Sequence, residues 1–316
     1  METIDDWTIL LAGQAGIVTR PQLLARGITD DTVRAHVAAG RWVPVLTGIH
    51  ATFTGPLSPA ARQWAAVLAC WPGALSHDTA AEVLGLRPAG SGDGRLHVTR
   101  PFGRSTFRTD GLDGLAVHRS RAFAHLVRPG DGVPVVSLAH TAVDLAVAEP
   151  TATAGMRSML RSLVTSSLTT DQVRAAIELR RPRRWKQALL DALSYAEGGV
   201  TSVLEAQWTV DVEAAHRLPP PRRQVAVDVD RRRRLEDLLY RHGDREVVVR
   251  LDGRRFHAVE SVNQLDRRRA NAAELAGRRH LVYGWPEVTE RPCVAAREVA
   301  AVLGCGFAAC VRCSGL

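Results

Sequence analysis

Thr19-Arg-Pro-Gln-Leu-Leu-Ala-Arg-Gly27, Thr29-Asp-Asp-Thr-Val-Arg-Ala-His-Val-Ala-Ala-Gly40 and Arg41-Trp-Val-Pro-Val-Leu-Thr-Gly-Ile-His50 follow one another almost without a gap. Thr19 is a good N-cap. Pro21 sits just inside the short helix it opens, Gln22 to Ala25, where the missing N–H removes no bond. Gly27 ends that helix. Thr29 caps the next, in which Val33 and Val37 form one inward stripe, and Gly40 stops it. From Arg41 to Phe53 apolar residues alternate around Thr47-Gly48, the pattern of a β-hairpin. Trp7 to Ala15 supplies an earlier helical stretch. Three short helices and then a hairpin is the order of a winged helix-turn-helix, assigned to residues 1–55.

Such a fold lays its third helix in the DNA major groove while flanking groups grip phosphate. With Val33 and Val37 inward, Asp31, Ala35 and Ala38 face outward, and Thr32 and Arg34 lie on the flanks. Arg41 stands at the mouth of the wing. Thr32, Arg34 and Arg41 are therefore the expected DNA contacts. The outward face carries few base-reading side chains, so the alternative is a winged helix used for protein contacts.

At 316 residues the chain exceeds one ordinary core, and multiple domains are expected. Residues 56–182 read as a mixed α/β section: helices over Ala60–Ala69, Ser76–Leu84 and Ser137–Ala148, strands over Leu96–Thr99 and Leu115–Arg119. Arg180-Arg-Pro-Arg-Arg184 reads as a basic linker. Residues 185–316 read as α/β. A helix from Ser202 to Arg217 opens on a capping box, Ser202-x-x-Glu205. Strands follow at Arg223–Val229, Leu235–Tyr240 and Glu246–Leu251, then a charged helix near Val262–Ala276, a strand at His280–Tyr283 and a helix from Pro286 to Leu303. The fold class is thus α/β in the α+β multidomain sense.

The net charge is +8, and 40 of the 41 basic residues are arginine. From Arg222 to His280 there are 16 arginines against 10 acids, a net of +6, so the excess is local and points to a polyanionic partner. Arg231, Arg232, Arg233 and Arg234, near a hairpin turn, are expected phosphate contacts, with a solvated charge run as the alternative. No apolar run is long enough to span a membrane and no basic n-region precedes an apolar stretch at the start, so a cytoplasmic location is expected. No phosphate-cradling loop, dinucleotide fingerprint, His-Glu-x-x-His or Gly-x-Ser-x-Gly occurs. His77-Asp78 and His118 lack partners at useful spacing and read as cap, core or surface.

Leu10-Leu-Ala-Gly-Gln-Ala-Gly-Ile-Val-Thr-Arg-Pro-Gln-Leu-Leu24 and Arg41-Trp-Val-Pro-Val-Leu-Thr-Gly-Ile-His50, continued by Leu75-Ser-His-Asp-Thr-Ala-Ala81, resemble the N-terminal domain of AbiE-type antitoxins of type IV toxin–antitoxin systems. That resemblance implies DNA binding, autoregulation of an operon and a cognate toxin as partner. Ser202-Val-Leu-Glu205, Leu218-Pro-Pro220, Gln224, Leu235-Glu-Asp-Leu-Leu-Tyr240, Leu251-Asp-Gly-Arg-Arg-Phe-His257, Asp266-x-x-Arg269 and Val282-Tyr-Gly-Trp285 resemble the very-short-patch-repair endonuclease-like proteins of the PD-(D/E)XK superfamily.

Phosphodiester hydrolysis in such a domain needs a divalent metal held by carboxylates of adjacent strands, and a group that handles water. The resemblance places Asp237, Asp252 and His257 at catalytic positions and Glu205 as a helix carboxylate near the site, although capping explains Glu205 equally well. Arg250 occupies the family's glutamate position. A guanidinium offers only donors and stays charged, so it repels Mg2+ or Mn2+ and is expected to pair with Asp237 or Asp252. The reading is a DNA-binding protein with a remnant nuclease domain. The alternative is a metal-dependent endonuclease with a rearranged site, and only then are Mg2+ or Mn2+ cofactors.

The five cysteines are odd in number, and Cys70 lies far from the rest, so no disulfide framework is expected. Cys310-x-x-Cys313, with Cys293 and Cys305, would make a four-thiolate zinc site, and His257 and His280 are replacement ligands. The alternative is free thiols.

Overall fold

Thr19 caps its helix as its position dictates: its hydroxyl accepts from Gln22 N–H, and the Gln22 carboxamide accepts from Thr19 N–H at 2.9 Å, closing a reciprocal capping box. The computed structural model describes residues 6–103, 112, 114–128, 130, 132–229, 232–252, 279–311 and 313. It is a mixed α/β, multidomain fold that divides into two compact units, Met1–Ala148 with Ala175–Pro182, and Glu149–Arg174 with Arg183–Leu316. The sequence drew three sections; the middle one is shared between the two units.

The first unit begins with α1 (Asp6–Gly13), β1 (Ile17–Thr19), α2 (Arg20–Leu24), α3 (Asp30–Ala38), β2 (Val43–Leu46) and β3 (Ile49–Ala51). The strands form a sheet of order β1-β3-β2, with β3 antiparallel to both neighbours. Val18, Leu23, Val33 and Trp42 are buried together, so α2 and α3 pack on the base of the sheet. This is the winged helix-turn-helix expected from the sequence. Gly16 lies at φ +75°, and a Cβ there would meet the Phe53 ring at 2.8 Å, so the turn into β1 demands glycine.

Next come α4 (Pro59–Ala69), β4 (Ala74–Leu75), α5 (His77–Val83), β5 (Leu96–Pro101), β6 (Leu115–Ser120), α6 (Phe123–Leu126), β7 (Val127–Arg128), β8 (Val135–Val136) and α7 (Leu138–Ala148). The strands make a mixed sheet of order β6-β5-β4-β8-β7. Ala66, Val67, Leu75 and Val98 are buried together, so one face of α4 packs on that sheet.

In the second unit α8 (Ala152–Thr165) packs on α10 (Lys186–Glu197) and α11 (Val203–Trp208). Helix α9 (Thr170–Arg180) falls between them in sequence. The sequence reads one α-helix from Ser202 to Arg217. The structure corrects this: after Trp208 the chain widens into a π-helical turn, Thr209–Ala214, in which Ala215 N–H reaches back to Val210 C=O. The sheet is β12-β11-β10-β9, built from β9 (Arg222–Val229), β10 (Arg232–His242), β11 (Arg245–Asp252) and β12 (Arg279–Gly284). Strands β9 to β11 are antiparallel neighbours, and β12 lies parallel to β11. The final helix is two, α12 (Trp285–Glu290) and α13 (Pro292–Leu303), because Pro292 cannot continue the turn before it. Trp208, Leu238, Tyr240, Val247, Val249, Val299 and Leu303 form the core between sheet and helices. Among the described residues no helix is long and apolar enough to cross a membrane.

Candidate DNA face, carboxylate site and cysteine cluster

Helix α3 presents the face its periodicity requires. Val33 is buried and Val37 packs behind it, while Asp31, Thr32, Arg34, Ala35 and Ala38 are exposed. Thr29 caps the helix by accepting from Thr32 N–H. Arg34 pairs with Asp31 one turn earlier, and Arg41 donates to His36 Nδ1 at 3.0 Å. His36 stacks on Trp42 at 4.5 Å between centroids, which fixes the mouth of the wing. A further cation was not singled out in the sequence: Arg20, at the start of α2, grips Asp30 through both its Nε and Nη2, at 2.7 and 2.6 Å. All three arginines are exposed. An apolar cavity of about 640 Å³, lined in part by Pro21, Leu46, Trp64 and Leu68, opens beside α2 and the wing.

The residues aligned with a nuclease site are placed differently from expectation. Arg250 pairs with neither Asp237 nor Asp252. Its Nε and Nη2 donate to the two carboxylate oxygens of Glu236 at 2.6 and 2.9 Å, in a buried bidentate pair. Strict alternation puts Glu236 on the opposite face from Asp237. The regular β10–β11 pairing stops at Leu238–Val249. Below it the Asp237 carboxylate, not a backbone carbonyl, accepts from Leu251 N–H at 2.8 Å. Arg250 therefore meets Glu236 beyond the last regular β10–β11 pair, where the register no longer dictates which acid faces it.

Asp252 ends β11 opposite Gly284 and is exposed. Glu205 is buried and acts as a cap: its carboxylate accepts from Thr201 N–H at 3.0 Å and from the Thr201 and Ser202 hydroxyls. Gln224 also donates to it, at 3.4 Å. His257 and Arg231 lie outside the described residues, and Arg232, Arg233 and Arg234 lie on β10 opposite Val229, Asp228 and Val227. At the position where the resemblance expects a metal-binding glutamate, Arg250 offers only donors and is engaged with Glu236.

A buried polar chain behind the sheet had no sequence signal. Trp208 Nε1–H donates to Tyr240 Oη at 2.8 Å, and that hydroxyl donates to Glu213 at 2.7 Å. Arg223 closes on the same carboxylate. Burial raises the Glu213 pKa despite Arg223, and burial with the Glu213 charge raises that of Tyr240.

Sulfur and imidazole converge at the end of the same helix. Cys293 Sγ lies 3.5 Å from Cys310 Sγ, Cys310 Sγ lies 3.7 Å from Cys313 Sγ, and Cys313 Sγ lies 3.5 Å from His216 Nε2. The four ligand atoms all fall within 4.8 Å of one another. Cys305 is not in the group, nor is His280. The sequence missed His216 because it precedes Cys313 by 97 residues and had been read only as part of a helix. Burial and hydrogen bonding with Cys313 and Cys310 push the Cys293 thiol up to about 12.

Three histidines also meet in the first unit, which corrects the reading of His77 and His118 as partnerless. His77 stacks on His118 at 3.7 Å, and His97 Nδ1 lies 2.9 Å from His118 Nε2. His97 Nε2 lies 3.0 Å from Asp93. The nitrogens of His97 are spent on its neighbours, which makes this a hydrogen-bonded stack rather than a set of converging lone pairs. Burial, then the neighbouring cations, lower His77 to about 3; burial, then the other two histidines, lower His118 to about 4.

No family model and no curated protein matches the chain. Among solved structures the chain is similar to the crystal structure of the RV2827C protein from Mycobacterium tuberculosis, with 20% identity and a TM-score of 0.40, over 65% of this chain and 80% of that one.

Proposed function

We propose that this chain is a DNA-binding regulator of antitoxin type whose C-terminal sheet keeps a nuclease-like layout without a working metal site. The observation that carries the non-catalytic half is the buried Arg250–Glu236 pair, which puts a fixed cation where a metal-binding carboxylate is required. The DNA-binding half is supported by the exposed flank of α3, by Arg41 beside the wing and by the positive balance of the chain. Its partners are DNA and a cognate toxin protein.

The test is a paired gel-shift and nicking assay on the full chain, with and without Mn2+. Wild type is expected to bind and never cut, with affinity falling steeply as salt rises, because displaced counterions drive binding to phosphate. Arg34→Ala and Arg41→Ala should each weaken binding, and unchanged affinity in both would remove the winged helix from the interface. Metal-dependent cutting by wild type that Asp237→Ala abolishes would overturn the regulator reading in favour of an endonuclease.

A further inference from the structure

We infer that His216, Cys293, Cys310 and Cys313 form a structural zinc site, a centre that does not depend on the DNA-binding reading. The ligands come from three places. His216 follows the π-helical turn, Cys293 is the second residue of α13, and Cys310 and Cys313 lie in the segment after it. A zinc ion bound tetrahedrally, with Zn–S of about 2.3 Å and Zn–N of about 2.0 Å, separates two sulfurs by about 3.8 Å and a sulfur from a nitrogen by about 3.5 Å. Three of the six ligand–ligand separations, 3.5 and 3.7 Å between sulfurs and 3.5 Å from sulfur to nitrogen, agree to within about 0.3 Å, and the rest lie within 4.8 Å. They are far longer than the roughly 2.05 Å of a disulfide.

The surroundings orient the imidazole for this role. His216 is fully buried and its Nδ1–H donates to Val212 C=O at 3.0 Å, which leaves the Nε2 lone pair for a metal. Phe307 stacks on the ring at 5.1 Å and itself carries the Arg297 guanidinium over its own ring at 5.5 Å, and Ala308 N–H donates to His216 C=O at 3.2 Å. Three thiolates and one imidazole match a soft, tetrahedral preference, which selects zinc over the oxygen-seeking magnesium and calcium. Four protein ligands leave no position for water or substrate, so the ion is structural. Its work is to tie Cys310 and Cys313, in the segment after α13, to the helix that carries Glu205 and Glu213.

The experiment is metal analysis of the full chain purified reduced and without chelator, followed by exchange with Co2+. One zinc per chain is expected, released when a mercurial blocks the thiols. The cobalt form should show thiolate-to-metal charge transfer and the strong visible bands of a tetrahedral centre. Cys305→Ser should keep the full equivalent, Cys310→Ser and Cys313→Ser should lose it, and His216→Cys should keep it with an altered cobalt spectrum. Wild-type protein that takes up no zinc when Zn2+ is supplied would overturn the site, and so would zinc retained in full by both Cys310→Ser and Cys313→Ser. The wild-type measurement decides even if a variant fails to fold.

Discussion

A single side-chain pair separates the two ways of reading the second unit. Arg250 and Glu236 are both buried and fully engaged with each other. Removing one partner leaves an uncompensated charge, so Arg250→Met is expected to cost about 3–5 kcal/mol, read by urea unfolding. Glu236→Leu with Arg250→Met should recover most of that loss, because burying two apolar groups costs no desolvation of charge. If the double variant is as unstable as the single one, the pair is not a self-contained ion pair. The histidine stack makes a second statement at this scale. Between the unfolded value of 6.5 and folded values of about 3 for His77 and about 4 for His118, the unfolded chain holds more protons. The stack's contribution is therefore full above pH 6.5 and lost as pH falls through that window. Asp144, whose carboxyl burial raises, acts in the opposite direction, whereas His140 and His50, which burial also lowers, act with the stack. Thermal melts at falling pH should show the first unit weakening, and His118→Asn should flatten the slope. A melting temperature that does not fall on acidification would show that folding does not lower the pKa of these histidines.

At the scale of elements, the caps and breakers were the readable part. Thr19, Thr29, Gly40 and the Thr47-Gly48 turn act locally, so sequence neighbours suffice to interpret them, and the winged helix follows from them. Thr19→Ala should destabilise the first unit by about 1 kcal/mol, since helix α2 has five residues and one reciprocal cap to hold it. No shift in its unfolding midpoint would show that packing of Leu23, not the cap, sets the helix. The candidate sites were less legible. Glu236 met Arg250 only because the ladder gives way at Asp237, and periodicity assumes an unbroken ladder. The break before Pro292 could be read from the proline itself, whereas the π-helical turn carries no residue that marks it. Cys293, Cys310 and Cys313 were singled out because cysteines are few; His216 was not, because its contact with them exists only after folding.

For the whole molecule, the boundaries drawn from composition and those made by packing differ in one consequential place. Helix α8 precedes the basic stretch at Arg180–Arg184, yet it belongs to the second unit: Met159 and Leu160 are fully buried, and Arg157 pairs with Asp211. A fragment of residues 149–316 is expected to fold and unfold cooperatively. A fragment of residues 185–316, which loses α8 and exposes the faces of α10 and α11 it covers, should be aggregated or lack a cooperative transition. Equal cooperativity of the two fragments, followed by circular dichroism on heating, would show that α8 is dispensable. The two divisions differ because a charged linker is conspicuous in sequence, while the burial of a helix is decided by distant partners.

The widened turn at Thr209–Ala214 gives the second unit a tolerance for frame that its neighbours lack. An α-helix advances by about 100° per residue, so losing one residue from α11 would swing everything after it by more than a quarter of a circle, His216 included. The turn holds one residue beyond what an α-helix of the same rise would use, and losing one there tightens it to ordinary α geometry with Glu205 and His216 still in phase. Length can thus change inside this buried helix at one address, and nowhere else along it, without turning its carboxylates and its imidazole away from their partners.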